Sequence, residues 1–293
     1  YVQSKLHRLP IYQSTLNAAC ELFTYHIPTN FFSVMLIFIA INIRMRTVIE
    51  TYFGKQENRE IIFNDISLEG VGHHTEHEAL KKGFLVDKAK GEDYWYMSRS
   101  TRVCTAETNY EEYNEQWEIV DKLTPVYKKR LEKILNIYIR KHSFTDYGRT
   151  LSTSDRAKFF IYYHKNEIVA FTKMQFYPIL MQTAYQIWPY KGAETFMFAW
   201  DYANPELRLG EVTLHHEIAW AKKYGNPDAG GDRGYEYLYT GPGYERSSIY
   251  KADVDGFEWW TGMEWSKDVK KYKQLCRRDS KVRSFKALST LLD

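Results

Sequence analysis

The stretch AKFFIYYHKNEIVAFTKMQFYP, residues 157–178, constrains this chain more than any other. Two runs rich in aromatic and β-branched residues flank a polar turn at His164, Lys165, Asn166 and Glu167, which predicts an antiparallel hairpin. Further strand-length aromatic runs follow in YQIWPY (185–190), TFMFAWDY (195–202), YEYLYTG (235–241) and FEWWTG (257–262). Between them, LRLGEVTLHHEIAWAKKYG (207–225) sets Leu209, Leu214, Ile218 and Ala221 on or near one helical face and ends at Gly225. ERSSIYKADV (245–254) reads as a short helix. Hairpin, strand, helix, strand, helix, strand requires a mixed sheet with helices packed on it, the α+β class.

Upstream, EIIFNDISL (60–68) and DYWYMSR (93–99) read as strands, and HHTEHEALKKGF (73–84) as a helix closed by Gly83. Residues 110–144 read as helical throughout, with Thr124-Pro125 opening a second helix and Tyr127, Leu131, Ile134, Leu135 and Tyr138 on one apolar face. The chain thus divides into an extension (1–44), a smaller N-terminal α/β region (45–109), a helical linker (110–150), the mixed-sheet domain (151–266) and a basic tail (267–293). In the extension, the apolar run FFSVMLIFIAI (31–41) is shorter than the ~20 residues that span a bilayer as a helix. Three readings of it stay open: upstream sequence preceding a start at Met45, a signal or membrane element, or a native extra element. No stable membrane association is expected.

At 293 residues and 44% apolar content the chain can bury a large core, and a net charge of +3 does not by itself point to nucleic acid. Three widely spaced cysteines, Cys20, Cys104 and Cys276, argue against a disulfide framework and for a reducing, cytoplasmic setting. HHTEH (73–77) matches the His-x-x-Glu-His pattern of one zinc-protease class, with His73 and His77 on one helical face and Glu76 as base. A third ligand is missing, since no acidic motif follows downstream, so no metal is expected.

The segment YEYLYTGPGYERSSIYKADVDGFEWWTG (235–262) sets eight aromatic side chains around a turn of Gly241, Pro242 and Gly243. Core packing is the ordinary explanation for any one of them. As a group on strand ends they read as one wall of a cleft.

The order of elements is that of the GNAT acyltransferase fold. Within it, three stretches resemble the arginyl- and leucyl-tRNA–protein transferases: the hairpin FFIYYHKNEIVAFTKMQFYP, the segment FAWDYANPELRLGEVTLHHEIAWAKKYG, and the series YLYTG, IYK and DGFE. HEALKKGF with DYWYMSRSTRVC looks like that family's N-terminal helix and aromatic strand, and LEKILNIYIRKHSF like its linking helix, so the likeness covers roughly 70–262. The family's N-terminal cysteine cluster is absent here, with only Cys104 near its place.

The resemblance implies a GNAT-like mixed sheet in 151–266 that moves an aminoacyl group from aminoacyl-tRNA, as co-substrate, to an amine, in particular a protein or peptide N-terminus, with no further cofactor. Tyr250 then stands where such enzymes hold a tyrosine that protonates the leaving group, its other reading being a core tyrosine with its hydroxyl at the edge. By its chemistry Glu211, beside Gly210 in NPELRLGEVTL (204–214), either meets the donor's α-amine or is an acid favoured by the helix dipole. Tyr237, Tyr239, Tyr244, Trp259 and Trp260 stack on the terminal adenine or line the side-chain pocket, and Lys251 contacts a phosphate. The basic tail, with nine lysines or arginines against two aspartates over 267–286, suits an acceptor stem. Two alternatives stand beside this: an acetyl-CoA-dependent N-acetyltransferase and a binding protein on a degenerate GNAT-like fold. A loop with one glycine and a neighbouring glutamate fits the pyrophosphate of acetyl-CoA poorly.

Overall fold

The chain divides into two compact units, residues 1–44 and 45–293. The computed structural model describes residues 46–56, 59–69, 71, 76–89, 92–97, 99–142, 151, 157–177, 192–224, 234–243 and 246–279, all in the second unit. YQIWPY, Tyr244, His73 and His74 lie outside the described residues.

A four-stranded antiparallel sheet, in the order β1-β2-β4-β3, comes first: β1 Arg46–Gln56, β2 Arg59–Glu69, β3 Leu85–Ala89 and β4 Glu92–Met97. A short helix, α1 Glu76–Lys81, joins β2 to β3. It closes at Gly83, whose φ of 76° is the left-handed conformation that glycine adopts without strain. Gly83 also lies against the Trp260 indole, where an added Cβ would come within 2.5 Å of Cγ.

The larger sheet has eight strands in the order β12-β11-β5-β10-β9-β8-β7-β6. Its members are β5 Ser100–Cys104, β6 Trp117–Val120, β7 Ala157–His164, β8 Glu167–Tyr177, β9 Gly192–Trp200, β10 Tyr237–Pro242, β11 Phe257–Trp260 and β12 Trp265–Ser266. The predicted hairpin is β7 and β8, with Lys165 and Asn166 at its tip, both at positive φ. Helix α2, Pro125–His142, covers one face, burying Leu131, Ile134 and Leu135 against Phe159, Ile161, Phe171, Met197 and Ala199. Helix α3, Leu209–Tyr224, covers the other, where Leu214, Ile218, Trp220 and Ala221 meet Phe160, Tyr162, Met174 and Phe176. Successive β7 residues thus serve opposite faces, the period-two rule of a strand buried on both sides. This is the α+β architecture of a mixed sheet flanked by helices that a GNAT-like order of elements predicts.

Three placements differ from the sequence reading. Residues 110–144 are not helical throughout, because Trp117–Val120 pairs with the edge of β7, with Trp117 and Ile119 against the α3-side core. An open strand edge and an alternating apolar pair outweigh the helix propensity of the surrounding acidic residues. β5, from the N-terminal half, lies in the large sheet between β10 and β11. Part of the basic tail is a helix, α4 Val269–Asp279, which buries Tyr272 and Cys276 against Phe257, Trp259 and Ala252. Among the described residues no helix is long and apolar enough to cross a membrane, and no group of three or more His, Cys, Asp or Glu is placed to hold a metal.

Candidate functional site

β9 and β10 are neighbouring parallel strands, yet they pair only at Gly192–Tyr237, Ala193–Leu238 and Glu194–Tyr239. Beyond that point both backbones deviate. β9 carries an extra residue, Phe196, opposite the Lys173–Met174 step of β8, and β10 passes through Gly241 at φ 75°. A bulge bends its strand and raises the local twist, so the two edges part after three pairs. The wedge beyond the last pair is where this ladder ends, and backbone groups there must find partners elsewhere.

Lys251 supplies two of those partners. It comes from the 3₁₀ turn Arg246–Asp253 that follows β10, and its ammonium donates to the carbonyl oxygens of Thr240 and of Pro242, the latter at 2.7 Å. The intervening carbonyl, Gly241, instead accepts from Thr101 of β5 at 2.8 Å. An added Cβ on Gly241 would lie 3.7 Å from Lys251 Nζ and 3.9 Å from Glu194 Oε1, so both groups border one bare patch of backbone. Glu194 is buried, and its Oε2 accepts from the Tyr177 hydroxyl at 2.6 Å. Burial pulls the Lys251 ammonium down to about 8, and the Glu194 charge opposes that shift.

Tyr250 precedes it. Its side chain is 55% exposed, yet its hydroxyl is pushed up to about 12, first by burial and then by the charge of Glu217. On a convex surface those two observations disagree. They agree for a ring that solvent reaches on one side while protein packs around its hydroxyl. The hydroxyl accordingly stays protonated at neutral pH and can donate.

Glu217 stands on α3, 2% exposed, with its side chain against the sheet. Oε1 accepts from Thr172 Oγ1 of β8 at 2.5 Å and from the Tyr162 hydroxyl of β7 at 3.2 Å. Burial lifts this carboxyl to about 8, and the two hydroxyl donors only partly offset it. Its neighbour His216 is turned the other way: Nδ1 accepts from the Tyr113 amide at 2.9 Å, and burial pulls the ring down to about 4, so it is neutral. A buried acid without a cation partner is costly in a core and marks a candidate site.

The residues singled out from the sequence fall into two groups. Lys251 borders the wedge, and Tyr250 precedes it in the same 3₁₀ turn. Gly210 and Glu211 stand exposed in the first turn of α3, where Glu211 pairs with Arg208 and the helix dipole suits an acid. Tyr239, Trp259 and Trp260 are core: the Tyr239 hydroxyl donates to the Leu80 carbonyl at 3.4 Å, Trp259 Nε1 to that of Asp268 at 3.1 Å, and Trp260 packs on Trp265. Tyr237 is half-buried beneath the Arg102 guanidinium, 3.5 Å from its ring centroid, with Arg102 in turn bonded to Glu258 at 2.7 Å. Sequence reasoning did not reach Glu194, Glu217, Tyr177 or Thr172. One signal was available: Glu217 occupies the apolar stripe of its helix, three residues after Leu214 and four before Ala221.

A second concavity of about 680 Å³ lies between α2 and the hairpin, floored by Ile134, Ile137 and Ile168. Its charged lining groups are all at least partly exposed, so it lacks the buried chemistry of the wedge.

No family model matches the sequence, and no curated protein matches it. Among solved structures, the C-terminal DUF2156 domain assigned to a lysylphosphatidylglycerol synthetase from Agrobacterium fabrum aligns at 12% identity with a TM-score of 0.32. The alignment covers 71% of this chain and 73% of that one. Likeness at this level says nothing about what the chain binds or does.

Proposed function

We propose that the protein is an acyltransferase that moves an aminoacyl group from aminoacyl-tRNA to a primary amine, in particular a protein N-terminus. The observation that supports this reading is the end of β9–β10 pairing at a wedge bordered by Glu194 and Lys251, followed in the same turn by Tyr250, whose hydroxyl bonds to none of the described residues. An extended acyl donor can lie between the strands, presenting its carbonyl where Tyr250 protonates the departing ribose oxygen. An aminoacyl ester is already activated, so the protein has to position amine and carbonyl, move one proton away and return one to the leaving group.

One detail favours an aminoacyl donor over acetyl-CoA. The carboxylate bordering the wedge, Glu194, is suited to the α-ammonium that an aminoacyl ester carries and an acetyl group lacks. In this reading Glu194 takes the part that the sequence suggested for Glu211, which is held by Arg208.

The test offers the full chain labelled aminoacyl-tRNA, mixed across amino acids, in one arm and labelled acetyl-CoA in the other, each with peptides bearing free N-termini. Label passing from tRNA alone supports the proposal and names the amino acid. Label passing from acetyl-CoA alone replaces the donor. Silence in both arms with tRNA bound favours a binding protein.

A further inference from the structure

Among the described residues Glu217 has no compensating cation. Facing it are the Tyr162 hydroxyl from β7 and the Thr172 hydroxyl from β8; Tyr250 of the 3₁₀ turn feels its charge, and His216 beside it is neutral and directed to Tyr113. Both bonding hydroxyls donate to Oε1, and Oε2 accepts no hydrogen bond among the described residues. A glutamine or leucine would fill the same space in a core at less cost. An acid kept here, with one oxygen unused and the unbonded Tyr250 hydroxyl within range of its charge, is built to meet a positive group that arrives from outside.

We infer that Glu217 is the acceptor-amine site, in which Oε2 receives the amine's hydrogen and takes its proton during transfer. The inference rests on the transferase reading for the transfer step, though not for the binding of the amine. In that step the proton shared by amine and carboxyl first leaves to solvent, and the amine nitrogen, as R–NH₂ beside the Glu217 carboxylate, attacks the ester carbonyl and forms the C–N bond. The proton it sheds goes to Glu217, the C–O bond to the ribose breaks, and Tyr250 gives its proton to that oxygen. Glu217 then returns a proton to the Tyr250 phenolate through solvent, leaving an amide and a free ribose hydroxyl. Thr172 and Tyr162 act as positioning residues, fixing the carboxyl so that Oε2 is the oxygen presented.

Amine and carboxyl share one proton in the complex, which gives a distinctive signature. Free Glu217 titrates at about 8, close to the ~8 of a peptide α-amine, so below pH 8 the separate partners hold nearly two protons and above it nearly none. Binding should therefore release about one proton at pH 7 and take up about one at pH 9. The probe is a short peptide with a free N-terminus, with the same peptide N-acetylated as control, titrated into the full chain by calorimetry in two buffers of different ionisation heat.

The expected result is binding of the free peptide only, with proton release at low pH turning to uptake at high pH. Glu217→Gln should weaken binding tenfold or more and abolish the uptake. Thr172→Val, which removes one donor to Oε1, should move the crossover upward while the chain stays folded. Equal binding of free and acetylated peptide, or an unchanged proton count in folded Glu217→Gln, overturns the inference. The expected binding signature without transfer from any donor would overturn the transferase reading and uphold the amine site.

Discussion

Lys251 and Glu194 flank the same bare face of Gly241, one from the turn after β10 and the other from the last paired residue of β9. The lysine therefore does structural work for the cleft: it satisfies strand carbonyls that no strand reaches. Lys251→Met leaves the carbonyls of Thr240 and Pro242 without their donor, and transfer should fall roughly tenfold or more as the wedge loses its shape. Its titration gives a second readout. The folded-state value, about 8, lies below the ordinary value of 10.5, so the unfolded chain binds more protons between the two. The Lys251 contribution to stability is present above pH 10.5 and is lost as pH falls to 8. Denaturant melts of wild type against Lys251→Met across that window should show this difference.

Tyr250→Phe removes a hydroxyl that bonds to nothing in the described structure and keeps the ring. Turnover should drop on the order of a hundredfold with KM nearly unchanged, the pattern of an interaction made only in the transition state. Stability should move by no more than about 0.5 kcal/mol. A parallel loss of stability and activity would place the tyrosine in packing instead.

Glu217 and His216 predict opposite pH effects from adjacent positions. Glu217 is raised from 4.5 to about 8, so the folded state binds the extra proton. The stability it confers is full below pH 4.5 and is lost as pH rises through 8, a change on the order of a few kcal/mol. His216 is lowered from 6.5 to about 4, so its contribution is present above pH 6.5 and is lost as pH falls through 4. Urea midpoints for Glu217→Gln should lose the alkaline decline and exceed wild type at pH 8, with the acid-side loss retained.

Two glycines separate backbone need from ligand need. Gly83→Ala places a methyl into the Trp260 ring at a positive φ and should cost roughly 2–4 kcal/mol in a thermal or denaturant melt. Gly210→Ala meets only ordinary contact in a helix and should hold stability or raise it by about 0.5 kcal/mol. Transfer should survive Gly210→Ala, whereas a pyrophosphate packed on that backbone would make the same change damaging.

What the sequence revealed depended on whether a signal was local. The hairpin of β7 and β8 was legible to within a residue of its turn, because runs, turn and register all lie within 22 consecutive residues. Helix α3 was legible from its apolar spacing and α2 from Thr124-Pro125. Strand β6 was not, since only the distant edge of β7 makes Trp117–Val120 extended. The aromatic wall was half legible. Lys251 borders the wedge and Tyr250 precedes it, but the Tyr239 hydroxyl and Trp259 Nε1 bond to α1 and to the residue before α4, and Trp260 packs on Trp265, partners no local spacing discloses. Glu217 escaped because an acid in an apolar stripe gains meaning only when its neighbours prove to be uncharged.

β5 carries a consequence for how this protein can be divided. Ser100–Cys104 fills the place between β10 and β11, so the strand behind one wall of the wedge is translated long before the strands it joins. A fragment beginning after residue 150 would hold Tyr250, Lys251, Glu194 and Glu217 but would lack the strand that binds β10 to β11. Such a fragment should be inactive alone and regain function when the N-terminal half is added in trans. Any shuffling of this sheet into other proteins would have to carry both halves together, because the site is assembled across the chain and inherited as one piece.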